Sequence, residues 1–236
     1  MTTGLLKGTR VTWLGHATVL VEMANGTNLL IDPFMGYNPK YPKDFVLPKI
    51  DYVLLTHGHM DHIADAAPVA KKDGATVVAM VELAGYLAAK GVEKTVGINL
   101  GGTYALPGAT VTMVEAKHSS SMEEDGQIIY LGEPAGLVIM IEGGPVLYHA
   151  GDTTVFRDME LIEELYKPEV AMLPIGGHYT MGPREAALAV KFLKPKVVLP
   201  IHWGTFPPLV GRPEQLAELV GEKLVARVEP GGVLEA

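Results

Sequence analysis

Thr56-His57-Gly58-His59-Met60-Asp61-His62 sets three imidazoles and a carboxylate into six consecutive positions, and holds three of the eight histidines in the chain. The apolar run Asp51-Tyr52-Val53-Leu54-Leu55 leads straight into it. A short, β-rich apolar run bounded by a polar turn reads as a buried strand. The cluster is therefore expected at the carboxyl end of a central strand, the edge at which open α/β sheets place their ligands. Four desolvated polar groups crowded at a sheet end are costly without a partner. A patch of surface histidines is the plain alternative. A metal site with more than one ion is the reading that gives each of these groups a partner.

Working outward, the first third reads as strands over Arg10–Gly15, Thr18–Met23 and Asn28–Asp32, with Asn25-Gly26 as a hairpin turn, followed by a Pro- and Tyr-rich loop, Pro33–Pro48, and the strand Asp51–Thr56. A helix is expected over His62–Asp73, a strand over Thr76–Met80 and a helix over Val81–Lys90, with Gly74 and Gly91 closing the helices. The second half repeats this grammar. Strands are expected at Thr110–Ala116, Gly136–Glu142, Pro145–His149, Val170–Ile175 and Val197–Ile201, and helices at Arg157–Tyr166, Pro183–Leu193 and Pro213–Glu222. Pro183 and Pro213 suit the first helical position. The chain is expected to end in a hairpin, Leu224–Val228 with Val233–Glu235, turned by Pro230-Gly231-Gly232. Two halves of strands and helices imply an α/β fold: two sheets packed face to face with helices outside, a four-layer αββα sandwich in one domain over residues 1–236.

Composition narrows the function classes. With 236 residues and 48% hydrophobic content there is enough for a sizeable core. The formal net charge of −8 argues against nucleic acid as the main partner and leaves a small-molecule substrate as the expectation. The absence of cysteine removes disulfides and thiolate ligands. Met1–Gly8 lacks the apolar core of a signal peptide, and no run reaches the ~18 apolar residues of a membrane span. A soluble cytoplasmic protein without a membrane span is the expectation. Helix faces leave a homo-oligomer open.

Three further residues fall at expected strand ends: His118 after Thr110–Ala116, Asp152 after Pro145–His149 and His202 after Val197–Ile201. With His57, His59, Asp61 and His62 they make five histidines and two aspartates. Imidazole and carboxylate without thiolate suit Zn²⁺ foremost, with Mn²⁺ or Fe as the other candidates. Seven ligands exceed one tetrahedral ion and match two divalent ions sharing a bridging carboxylate and a bridging water. Such a pair lowers the pKa of the shared water and presents a hydroxide at neutral pH.

His-x-His-x-Asp-His followed by separated His, Asp and His resembles the metallo-β-lactamase superfamily. Trp13-Leu14-Gly15-His16-Ala17-Thr18, Leu30-Ile31-Asp32-Pro33, His118-Ser119-Ser120, Pro174-Ile175-Gly176-Gly177-His178-Tyr179-Thr180-Met181 and His202-Trp203-Gly204-Thr205-Phe206-Pro207 narrow the resemblance. It is to the small metal-dependent hydrolases of that superfamily, related to ascorbate-6-phosphate lactonases and the phospholipase D acting on N-acylphosphatidylethanolamine. The resemblance implies the αββα fold and a hydrolytic activity on an ester-like bond: a lactone, a thioester or a phosphodiester. It assigns His57, His59 and His118 to the first metal, Asp61, His62 and His202 to the second, and Asp152 to the bridge. Asp61 would also orient the attacking hydroxide, and His178 is the candidate proton donor to the leaving group. An iron-dependent oxidoreductase on the same scaffold, such as a thiol dioxygenase, and a non-catalytic binding protein are the competing classes.

His16 and Asp32 are candidates to support metal ligands or touch substrate, against the plainer readings of a turn histidine and a turn-capping aspartate. His149 is expected inside a strand, facing the core. Pro33–Pro48, with Tyr37, Tyr41 and Phe45, and Ser119–Pro134, with the acidic run Glu123-Glu124-Asp125, are lid candidates. An acidic lid disfavours polyanionic substrates. Thr205-Phe206-Pro207-Pro208 is placed to add an apolar wall.

Overall fold

A computed structural model describes residues 4–235; Met1–Thr3, part of the terminus read above as lacking a signal peptide, and Ala236 lie outside the described residues. The first half forms β1 (Arg10–Trp13), β2 (Val19–Glu22), β3 (Asn28–Ile31), β4 (Tyr52–Leu54), α1 (Met60–Ile63), α2 (Ala66–Asp73), β5 (Thr76–Met80), α3 (Val81–Ala89) and β6 (Thr95–Ile98). These strands build one six-stranded sheet in sequence order. β1 to β3 are antiparallel, and β3 to β6 run parallel.

The second half forms β7 (Thr103–Leu106), β8 (Ala109–Glu115), β9 (Ser121–Glu124), β10 (Gln127–Tyr130), β11 (Ala135–Ile141), β12 (Val146–His149), α4 (Met159–Tyr166), β13 (Val170–Pro174), α5 (Pro183–Leu193), β14 (Val197–Ile201) and α6 (Pro213–Val220). Its six-stranded sheet has the order β14-β13-β12-β11-β8-β7, and β9 and β10 stand apart as a two-stranded ribbon.

The layering follows from alternation along the strands. In the second sheet Leu137, Ile139, Leu147, Val170, Met172, Val197 and Leu199 join the core shared with the first sheet. Their neighbours Val138, Tyr148, Ala171, Leu173 and Val198 pack instead with Met159, Ile162, Ala186, Val190 and Leu216 of α4, α5 and α6. Successive side chains of a strand face opposite sides, so a strand buried on both faces is apolar throughout and serves two cores. α2 and α3 cover the outer face of the first sheet through Val69, Leu83 and Leu87. The αββα sandwich expected from the sequence is the fold.

Three local expectations are corrected. The helix expected over His62–Asp73 is two pieces, because Pro68 has no N–H to donate to the Ala64 carbonyl and cannot continue one helix. Asp65, at the break, accepts from the Met35 and Gly36 N–H groups at 2.6 and 3.1 Å, tying down the loop that follows β3. The acidic run Glu123-Glu124-Asp125 is not a loop. Asp125 (φ 51°) and Gly126 (φ 75°) form the tight turn of the β9–β10 ribbon, and Glu124 is bound to Lys90, just past the end of α3. The C-terminal hairpin does not close on itself. Val225 pairs with Val198 of β14 and Val233 with Thr12 of β1, so the last segment runs from one sheet to the other. β14 and β1 are edge strands with open backbone groups, and the chain end fills them.

Candidate metal centre

The candidate residues meet where β3, β4, β8, β12 and β14 end. His57, His62, His202 and Asp152 are buried, and His59, Asp61 and His118 are partly buried. Ligand atoms of His57, His59 and His118 lie within 4.8 Å of one another, as do those of His16, Asp61, His62 and His202. Asp152 stands between the groups: its carboxylate oxygens are 3.4 Å from His62 Nε2, 3.6 Å from His118 Nε2 and 3.0 Å from His202 Nε2.

Close packing fixes the presentation of the motif. A Cβ on Gly58 would stand 2.6 Å from Leu131 Cβ, so only glycine fits between His57 and His59. The Gly58 N–H donates to Ser120 Oγ at 3.1 Å, anchoring the turn to the segment after His118. At Gly151 (φ 61°) a Cβ would meet Thr56 Cβ at 2.8 Å and the Ala135 carbonyl oxygen at 2.9 Å, so glycine lets Asp152 reach the cluster.

Asp32 organises two histidines at once. Its carboxylate accepts from the Thr56 N–H at 2.8 Å, the Thr56 hydroxyl at 2.6 Å and His62 Nδ1 at 2.8 Å. The Thr56 hydroxyl, committed to Asp32, accepts from His57 Nδ1 at 3.0 Å. Both rings are thus held as Nδ1–H tautomers, with the Nε2 lone pairs left for a cation, which is how outer-shell carboxylates orient metal-binding histidines. His57 Nε2 sits 2.9 Å from His59 Nδ1, and His59 Nε2 is 3.2 Å from Ser119 Oγ.

His16 performs the matching task for Asp61. Its Nε2 is 2.9 Å from Asp61 Oδ2, and its Nδ1 is 3.0 Å from Thr205 Oγ1. Since an ionised carboxylate only accepts, Nε2–H donates to Asp61 and the Thr205 hydroxyl donates to Nδ1. Both ring nitrogens are occupied, so His16 supports a ligand and is not free to be one. Its carbonyl accepts from the His202 N–H at 2.8 Å and from Trp13 Nε1 at 2.9 Å. His16, Asp32 and His202 adopt left-handed backbone, with φ of 55°, 46° and 53°. Such conformations cost about 1–3 kcal/mol each and persist where the surroundings over-determine them.

The donor set fits divalent cations. His62 Nε2, Asp152 Oδ1 and both ring nitrogens of His202 are buried and form no well-aligned hydrogen bond, although the Asp152 carboxylate stands close to both Nε2 atoms. Each buried polar atom left unpaired costs about 1–3 kcal/mol. His62 Nε2, His202 Nε2 and the Asp152 carboxylate meet in one cluster, where shared cations would satisfy them together.

The electrostatics agree. Burial opposes charge on His62, but Asp152 and Asp32 outweigh it and hold the ring well above its ordinary range. Burial likewise opposes charge on His202, and Asp152 raises it to about 9. Asp61 and Asp152, despite burial, are held far below the usual carboxylate range, Asp61 by His16 and His202, and Asp152 by His202 and His62. Burial, then His202, lowers His16 to about 4, and burial, then His62, holds His57 well down. The two carboxylates demand positive charge, which protons on His62 and His202 or bound cations can supply.

Above this cluster opens a cavity of about 600 Å³ lined by Phe34, Tyr37, Met60, Tyr179, Phe206 and Pro208, with His59, Asp61, His118, Asp152 and His202 in its wall.

A UPF0173 metal-dependent hydrolase of Koribacter versatilis is 46% identical over 96% of this chain and 97% of its own length. One from Methanopyrus kandleri is 50% identical over 94% and 97%. The family model described as the β-lactamase superfamily domain matches residues 27–203.

The chain belongs to the UPF0173 metal-dependent hydrolases of the β-lactamase superfamily.

Among solved structures, Igni18 from Ignicoccus hospitalis, described as a novel metallo hydrolase, matches this β-lactamase-superfamily chain with a TM-score of 0.84 and 38% identity, covering 96% of this chain and 97% of that one.

Not every candidate is brought into the centre of this β-lactamase-superfamily fold. The tight turn at Gly177 (φ 74°) and His178 (φ 60°) leaves His178 exposed against the Tyr179 ring, and Tyr179 rather than His178 lines the cavity. His149 is a buried strand histidine as expected: Nε2 donates to the Ala17 carbonyl at 2.9 Å, and Nδ1 accepts from the Gly151 N–H at 3.1 Å. Thr56 carries a role that the sequence leaves unassigned, and Thr205, expected in an apolar wall, instead bonds His16. The signal for Thr56 was a hydroxyl at the end of an apolar strand, beside the first histidine. Thr205 carried none, since its partner His16 is 189 positions away.

Proposed function

We propose that the chain is a single-domain binuclear metallohydrolase acting on an ester-like bond of a small molecule. His57, His59 and His118 would hold one divalent cation, Asp61, His62 and His202 the second, and Asp152 would bridge them. Zn²⁺ is the ion that this donor set favours, with Mn²⁺ or Fe as alternatives. The observation that carries the reading is the convergence of buried donor atoms of His62, His202 and Asp152, without well-aligned hydrogen bonds, beneath an open cavity.

Two such cations, when bound, bring a shared water toward neutral pKa and draw charge from the scissile carbonyl or phosphoryl oxygen. The chain's own residues do the rest. Asp32, directly and through Thr56, keeps the His62 and His57 rings in the tautomer whose Nε2 would take a cation. His16 fixes Asp61 through Oδ2 and leaves Oδ1 as the freer oxygen, able to accept a proton from an attacking water. Phe34, Met60 and Phe206 give the cavity an apolar wall beside Asp61. The cavity volume suits a small-molecule ligand. Among the described residues no helix is long and apolar enough to cross a membrane.

The test is turnover of a panel of lactones, thioesters and phosphodiesters by metal-reconstituted protein, with Asp61→Ala as the blank. Hydrolysis abolished in the variant supports the reading. One iron per chain with oxygen consumption and no hydrolysis would replace it with the oxidoreductase reading.

A further inference from the structure

The geometry points to a substrate whose non-reacting arms are uncharged and apolar, one on either side of His118 and Ser119; this inference rests on the hydrolytic reading above. Three observations carry it. First, the side chains that wall the main cavity away from the cluster are Phe34, Tyr37, Met60, Tyr179, Phe206 and Pro208. Phe34 and Phe206 are fixed there, each with its ring centroid 5.5 Å from that of His16 and 6.3 Å from the other's. Second, no lysine or arginine lines this cavity among the described residues. Its ionisable side chains away from the tyrosines are His59, Asp61, His118, Asp152 and His202, all of the centre itself. A phosphate or carboxylate remote from the reacting bond would be desolvated there without a cation, in a chain of net charge −8.

Third, a second cavity of about 350 Å³ shares His118 and Ser119 with the first and is walled by Ile128, Tyr130 and Pro134, with Ser120, Ser121 and Glu133, whose carboxylate accepts from the Tyr130 hydroxyl at 2.7 Å and disfavours an anionic arm. Ile128 and Tyr130 are 81% and 59% exposed, and Tyr37 and Tyr179 at the main mouth are 81% and 58% exposed. Large apolar side chains left exposed at two adjoining cavities mark a surface that an apolar ligand covers. The two cavities meet at His118, a residue of the centre at which the scissile bond would be held, so each takes one arm. In the reaction the oxygen of water bonds the acyl carbon, the acyl C–O or C–S bond breaks, and the proton of water leaves on the alcohol or thiol. The products are a carboxylic acid and an alcohol or thiol, each bearing one arm.

The experiment compares 4-nitrophenyl acetate, 4-nitrophenyl hexanoate and the 4-nitrophenyl monoester of adipic acid with metal-loaded protein, alongside binding of the neutral fluorophore N-phenyl-1-naphthylamine. Hexanoate is expected to exceed both others in kcat/KM by about tenfold or more, the scale on which an apolar pocket rewards added methylenes. Phe206→Ala and Ile128→Ser should each shrink the hexanoate-to-acetate ratio and weaken fluorophore binding, and Tyr179→Arg should raise kcat/KM for the adipate ester. Equal rates for hexanoate and adipate, with no fluorophore bound, would overturn this inference while leaving the hydrolase intact. Fluorophore binding that depends on Phe206 and Ile128, with no ester cleaved, would uphold the apolar arms and overturn the hydrolase.

Discussion

His16 Nε2 donates to Asp61 Oδ2 at 2.9 Å, from a ring whose other nitrogen accepts from Thr205. A turn between the first two strands thus fixes a carboxylate of the central motif, while the His16 carbonyl holds the His202 backbone from the opposite sheet. His16→Ala should weaken binding of one of the two cations by about 10–100-fold, the usual cost of losing an outer-shell partner. His16→Gln, which can still donate to Asp61, should recover part of it. Competitive metal titration with a chromogenic chelator measures both.

Asp32 is buried and accepts three hydrogen bonds, two from Thr56 and one from His62. Asp32→Ala strands all three donors and should lower unfolding stability by about 3 kcal/mol or more, as breaking a buried, hydrogen-bonded pair does. Urea unfolding of the metal-free protein reads this directly. The cations should also bind more weakly, since neither His57 nor His62 keeps its tautomer.

Gly58→Ala drives a methyl into Leu131 Cβ. Overpacking of this kind costs about 1–3 kcal/mol, and here the backbone that yields carries His57 and His59. The variant should lose both stability and metal affinity. Adding Leu131→Gly should restore affinity more than stability, because it removes the clashing Cβ but leaves a cavity.

His149 is held below its ordinary value of 6.5, first by burial, with Asp32 opposing. Below pH 6.5 the unfolded chain therefore binds a proton that the folded His149 refuses, so the stability tied to this ring is complete above pH 6.5 and falls as pH drops toward the lowered value. His149→Gln, which keeps a donor for the Ala17 carbonyl, should flatten that acid limb. Denaturation of metal-free wild type and variant between pH 5 and pH 8 gives the difference.

Much of the fold was legible because β12, β13 and β14 are short apolar runs that alternate between two cores, and because Pro183 and Pro213 mark helix starts. The edge strands β6 and β7 were missed, since half-exposed sequences such as Thr95-Val96-Gly97-Ile98 lack a buried pattern. The β9–β10 ribbon was hidden by its charges, although Asp125-Gly126 is a hairpin turn. The C-terminal strand pairings depend on which edges stand open, a property of the assembled sheets rather than of the segment. At the centre, residue types at strand ends pointed to the cluster that the structure assembles. The links from His16 to Thr205 and from Asp32 to Thr56 join distant positions through single hydrogen bonds, which leave no periodic trace. His178, the candidate proton donor, follows Gly176-Gly177 in a tight turn that sets it outside the cavity.

The central claim is that two cations share this centre, and metal content measures it most directly. Protein stripped with a chelator, reloaded with excess Zn²⁺ and passed through a desalting column should carry about two ions per chain by plasma mass spectrometry, and His202→Ala about one. A wild-type chain that retains a single ion, or none, would contradict the account.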